Sequence, residues 1–173
     1  MAELRKMTMG EVAEVAGDPK ETIRTRMNRF LGEREKAPGW ARLDVPSTVQ
    51  IAVQAEVLRM TGAQGIALLA ANFAAESIAN FLNYPPHTIK RKGQLAGNHL
   101  IFRRSAIDPT QWKEHWCKSD EEAARMAGEF IAATAETTWG GFYFLNVSTV
   151  TDWAIDRIFD LQEIDGNVAG VTA

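Results

Sequence analysis

A single cysteine, Cys117, stands among 173 residues. No internal disulfide can form, which excludes a small secreted fold stapled by bridges. The chain has only three histidines, His87, His99 and His115. They and the lone thiol do not make the spaced ligand set that a structural zinc needs. There is no P-loop, no dinucleotide fingerprint and no motif that would activate Cys117 as a nucleophile, so the sequence predicts no enzyme, no cofactor and no metal site. Long apolar runs are missing too: Gly65 to Ala75 is too short to cross a bilayer, and the N-terminus shows no secretory segment. The expected protein is soluble and cytoplasmic, with no membrane partner. Neither sign of charge dominates, because 19 Lys and Arg face 22 Asp and Glu for a net charge of −3. That balance argues against indiscriminate electrostatic binding to nucleic acid.

The charge is unevenly spread. Met1 to Gly62 holds 10 Lys and Arg against 9 Asp and Glu, which leaves 9 against 13 for the remainder. Within the first stretch, M-T-M-G-E-V-A-E-V-A-G-D-P-K-E-T-I-R-T-R-M-N-R-F reads as a helix, a tight turn and a basic second helix. Gly17 can take the positive φ that ends one helix, Asp18 can cap the next, Pro19 suits its first position and Glu21 completes a capping box. Met9, Val12, Ala13 and Ala16 repeat at helical spacing on the first helix. Ile23, Met27 and Phe30 or Leu31 do so on the second, and so short a turn forces a sharp crossing of the two.

Lys20, Thr22, Arg24, Thr25, Arg26, Asn28 and Arg29 are left facing outward. Arg and Asn can each make paired hydrogen bonds to base edges in the major groove, whereas Lys and Thr more often fix a protein on the phosphates. The expected division puts Thr22, Arg24, Thr25 and Asn28 at or near bases and Lys20, Arg26 and Arg29 on phosphates. The competing reading makes these cations the solvated face of an ordinary helix.

Met7 to Arg42 resembles the DNA-binding domain of the MerR family. T-M-G-E-V-A matches that family's opening helix, Gly17 its turn, T-I-R at Thr22 to Arg24 its recognition helix, and G-W-A-R-L at Gly39 to Leu43 its wing. Val49 to Gly62 is similar to the helix that follows the wing. The likeness covers about the first third of the chain. It implies backbone or groove contacts for Arg24, Arg42 and Lys36, a wing carried by Trp40 and Arg42, and a homodimer on a two-fold operator. The chain departs from the family pattern at Thr25, Arg26 and Met27, and no dimerising coiled coil follows. Winged helices of phage excisionases and terminase small subunits share the same fold signals.

Beyond the wing, Asp44 or Ser47 can open a helix that runs to Thr61 and stops at Gly62. A second helix spans about Gln64 to Asn83, and its many alanines suit close packing, either within one subunit or across a dimer seam. Tyr84-Pro85-Pro86 breaks it. His99 to Arg104 and Gly141 to Val147 read as strands. Asp108-Pro109 opens a helical section through Trp112 and Trp116, Ser119 starts a helix to about Thr137, and a last helix begins after Asn146 or Ser148. The tail from Gly166 reads as frayed.

The predicted fold is mainly α with a small β component: a winged helix-turn-helix over 1–62, a connecting or dimerisation helix over 63–84, and a small α+β domain with a two-stranded sheet over 85–173. The expected function is a sequence-specific transcriptional regulator of phage or mobile-element type, bound to double-stranded DNA as a homodimer. The C-terminal domain would hold a partner protein or a small effector. An excisionase-like or terminase-small-subunit-like DNA-binding protein and a winged-helix module for a protein partner are the alternatives.

Overall fold

Among the described residues, six helices and five strands follow one another in the computed structural model. The N-terminal half holds α1 (Met9–Ala16), α2 (Lys20–Phe30), α3 (Val45–Thr61), α4 (Gln64–Asn83) and β1 (Thr88–Ile89). After them come β2 (His99–Ser105), β3 (Trp112–Cys117), α5 (Asp120–Thr134), β4 (Trp139–Asn146), α6 (Val147–Leu161) and β5 (Val168–Ala169). The residues described are 4–30, 42–84, 87–105, 107–108, 112–134, 139–164 and 168–169. The fold is mainly α-helical with a minor β component. The chain divides into two compact units: Met1–Gln94 together with Val150–Ala173, and Leu95–Thr149.

In the first unit, α3 is the central helix. Asp44 caps it by accepting from the Ser47 amide at 2.9 Å, and Gly62 ends it at φ 64°. Val45, Val49, Ile51, Ala52, Val53, Ala55 and Val57 are all buried, so both sides of the helix face protein. It packs against α4 through Ile66, Ala67, Ala70, Ala71, Ala74 and Ile78, and the small residues let the two backbones lie close. The twenty residues of α4, with a mean hydropathy of 1.4 over their most apolar window, are long and apolar enough to cross a bilayer. A core helix passes the same test, and a third of that window is buried inside the protein. The length exceeds the Gly65 to Ala75 run because apolar and small residues continue at helical spacing to Asn83.

Within the tail predicted to fray, Val168 and Ala169 pair antiparallel with Ile89 and Thr88, and the rest of it lies outside the described residues. Arg91 draws the neighbouring segments together, pairing with Asp156 at 3.0 Å and with Asp160, and donating to the Ile164 carbonyl at 3.1 Å. The basic run Lys90-Arg91-Lys92 therefore spends one cation on internal carboxylates.

The second unit is a three-stranded antiparallel sheet, ordered β3-β2-β4, with α5 packed on one face. Two expectations fail here. The sheet has three strands, not two, and Trp112 to Cys117 form the third, where a helix was predicted. The reason is geometric. Residues four apart share a face in a strand as well as in a helix, so the Trp112 and Trp116 spacing fits both, and pairing with β2 decides the matter. Ile101, Cys117, Ala123 and Phe130 form the core under α5, with Met126 and Phe142 against them. At the other end of β4, Asn146 caps α6 by accepting from the Thr149 amide at 3.0 Å.

Candidate nucleic-acid interface

The α1–turn–α2 segment is built on caps at both ends of α1. Thr8 and Glu11 form a capping box on α1: the Thr8 amide donates to Glu11 at 2.7 Å, and the Glu11 amide to the Thr8 hydroxyl at 3.4 Å. Arg5 donates to the same carboxylate at 2.5 Å, and this hydrogen bond is the main reason its pKa falls to about 2. This box was not predicted; in the one expected at Asp18 and Glu21, the Glu21 carboxylate faces Arg24 and that of Asp18 pairs with Arg26.

At the far end of α1, Gly17 adopts φ 67°. Its amide donates to Glu14 at 3.2 Å and the Asp18 amide to Ala13 at 3.1 Å, the paired bonds of a Schellman turn. Two arginines from distant helices satisfy the remaining carbonyls. Arg59 of α3 donates to Ala16 at 3.0 Å and lies 3.5 Å from the Gly17 oxygen, while Arg157 of α6 donates to Glu14. Cations at a helix C-terminus also meet the negative end of its dipole. Ile23, Val12, Val15 and Ala16 are buried between α1, α2 and α3. As expected, Val12, Ala13, Ala16 and Ile23 point inward; Met9 and Met27 are half-buried.

The outward residues separate into three groups. Lys20, Arg24 and Thr25 are exposed and Thr22 is half-buried. The Lys20 stem runs over Gly10, where a Cβ would stand 3.0 Å from its Cε, so α1 and α2 approach closely there. Thr25 donates to the Glu21 carbonyl at 2.9 Å. Arg24 lies 3.4 Å from Glu21 with the two side chains 63% and 80% exposed, a pairing of about 0–1 kcal/mol that solvent or a ligand can open. Arg26 differs: it is half-buried and ion-paired to Asp18, whose other oxygen is 3.5 Å from Arg59. The side chains of Asn28 and Arg29 lie outside the described residues, as do Lys36 and Trp40 and with them the wing. Met7 and Leu43 exchange two backbone hydrogen bonds of 2.8 Å, which returns the chain after α2 to the entrance of α1 and sets exposed Arg42 beside it.

Two other places have some chemical character. A cleft of about 450 Å³ in the first unit is lined by Glu14, Val15, Arg157, Asp160, Leu161 and Glu163. On the sheet of the second unit, Trp112 is half-exposed and stacks on Phe102 with centroids 5.4 Å apart and planes at 22°. On the opposite face, burial pushes the His115 pKa down, helped by Arg103 and Lys113, and burial pushes the Cys117 thiol up. Among the described residues no group of three or more His, Cys, Asp or Glu is placed to hold a metal ion.

Arg59 and Arg157 were not legible as part of this site. They sit 42 or more residues from the carbonyls they hold, and nothing local in the sequence marks them. No family model, no curated protein and no solved structure matches the chain.

Proposed function

We propose that the protein is a sequence-specific DNA-binding regulator in which α2 is the recognition helix of a winged helix-turn-helix. The small α+β unit would serve oligomerisation or a partner. The observation that carries this reading is the rigid α1–turn–α2 corner, capped at both ends of α1 and stapled by α3. It leaves Lys20, Arg24 and Thr25 exposed on α2, with Thr22 half-buried. A short helix whose turn is so held can enter a major groove without losing its own orientation, and Arg24 and Thr25 supply a bidentate donor and a short polar contact there. Arg42, at the base of the segment that resembles a MerR wing, adds a cation for the flanking backbone. Homodimerisation on an inverted repeat and a phage-type repressor role follow from that resemblance.

The experiment is selection of bound fragments from a random duplex pool at near-physiological salt, with the Arg24→Ala, Thr25→Ala variant in parallel. Enrichment of one motif by the wild type, lost in a variant with an unchanged unfolding curve, is the expected result. Equal enrichment by both proteins removes α2 from the interface. Exposed Glu21 beside Arg24 gives the helix mixed charge, which favours a second reading, a protein partner docking on α2. In that case the wild type enriches no duplex at all.

A further inference from the structure

We infer that Arg59 is a positioning residue for DNA readout, setting the angle of α2 through Asp18 while touching no DNA itself. The inference rests on α2 being the recognition helix. Arg59 lies in the last turn of α3, the helix that packs against α1, α2 and α4. Its guanidinium meets four partners: the Ala16 carbonyl at 3.0 Å, the Gly17 carbonyl at 3.5 Å, Asp18 at 3.5 Å and Glu56 at 2.6 Å. Asp18 in turn pairs with Arg26, which is two turns into α2. The side chain of Asp18 is 15% exposed and that of Arg26 16%, so this link is shielded from solvent where the Arg24–Glu21 pair is not. A line of charged contacts, the 3.5 Å Arg59–Asp18 ion pair followed by the Asp18–Arg26 hydrogen bond, therefore runs from the core helix, through the turn, to the middle of α2.

Geometry gives the link its direction. The Schellman bonds fix Gly17 and the Asp18 amide, but the turn is only three residues long and past them the direction of α2 depends on what holds the Asp18 side chain. A planar guanidinium that donates to two successive carbonyls and a carboxylate fixes those acceptors relative to one another, which a single ammonium cannot do. Arg26, one of the expected phosphate contacts, thereby becomes the far end of a brace.

A brace differs from a staple in what its loss changes. Loss of mere stability lowers the folded fraction and scales binding to every duplex equally, so the ratio of specific to nonspecific affinity stays put. Loss of helix orientation misplaces base-edge donors and lowers that ratio. The test uses the full chain with two probes, the duplex that the wild type selects and a scrambled duplex of the same length, at one salt concentration. Arg59→Met is expected to lower the affinity ratio roughly tenfold, the scale of losing one base-pair contact. Asp18→Asn is expected to lower it similarly, and it carries the test if Arg59→Met does not fold. Arg157→Met, which removes a donor to Glu14 one turn away, is expected to lower the melting temperature with the ratio unchanged. If the wild type discriminates and Arg59→Met and Asp18→Asn keep its ratio, Arg59 is only a staple. If the wild type itself does not discriminate between the two duplexes, the recognition-helix reading fails and the brace with it.

Discussion

The capping box at the head of α1 gives the sharpest quantitative prediction. Replacing Glu11 by Gln keeps the size and one acceptor oxygen but removes the charge that meets Arg5 and the Thr8 amide. The Glu11 pKa is drawn from 4.5 to about 2, chiefly by the Arg5 hydrogen bond, and that displacement corresponds to roughly 3 kcal/mol of stability linked to the ionised form. The Arg5 side chain is 46% exposed, so solvent screening trims the figure to about 2 kcal/mol. The sign follows from the depressed pKa. The ionised carboxylate stabilises the fold fully above pH 4.5, and this contribution is lost as pH falls towards 2. Urea unfolding of wild type and Glu11→Gln across that range isolates it, since the other carboxylates are common to both proteins. The variant is expected to be about 2 kcal/mol less stable at pH 7, with the gap nearly closed at pH 2. A gap that stays constant with pH, or none at pH 7, refutes the assignment of charge to this box.

Other outcomes follow from single positions. Gly17→Ala is expected to lose about 1–2 kcal/mol in chemical unfolding, entirely from backbone strain at φ 67°, because the nearest atoms to the new Cβ are 3.7 Å away; Gly17→Asn should lose less. Gly97→Ala meets a harder obstacle. Its Cβ would stand 2.8 Å from the Lys118 carbonyl at φ 80°, so loss of the near-ultraviolet tryptophan signal of the second unit is expected at room temperature. His115 should titrate below the ordinary histidine range by NMR. Its neutral form is favoured by the fold, so it contributes stability above that range that is lost as pH falls through the lowered pKa.

Much of the helical framework could be read from residues in a row. Thr61-Gly62 ended α3 and the Tyr84-Pro85-Pro86 break ended α4, because a helix stop is a matter of φ and a missing amide proton. Of Asn146 and Ser148, both open as the start of α6, it is Asn146 whose side chain caps it by accepting from the Thr149 amide. Where a pattern had two solutions the sequence was mute: Trp112 and Trp116 fit a helix or a strand, and only hydrogen bonds to β2 made them a strand.

The sequence by itself determined the corner. Gly17, with buried positions at helical spacing on either side of it, gives two helices joined by a short turn on local grounds, and the exposed cations of α2 follow from what is not buried. Tertiary structure decided which of those cations are available. Arg24 stays exposed, whereas Arg26 is taken up by Asp18, and the carbonyls at the end of α1 go to Arg59 and Arg157 from helices far along the chain. A guanidinium's partner depends on which acceptors packing brings within reach, and that is a property of the folded core rather than of neighbouring residues.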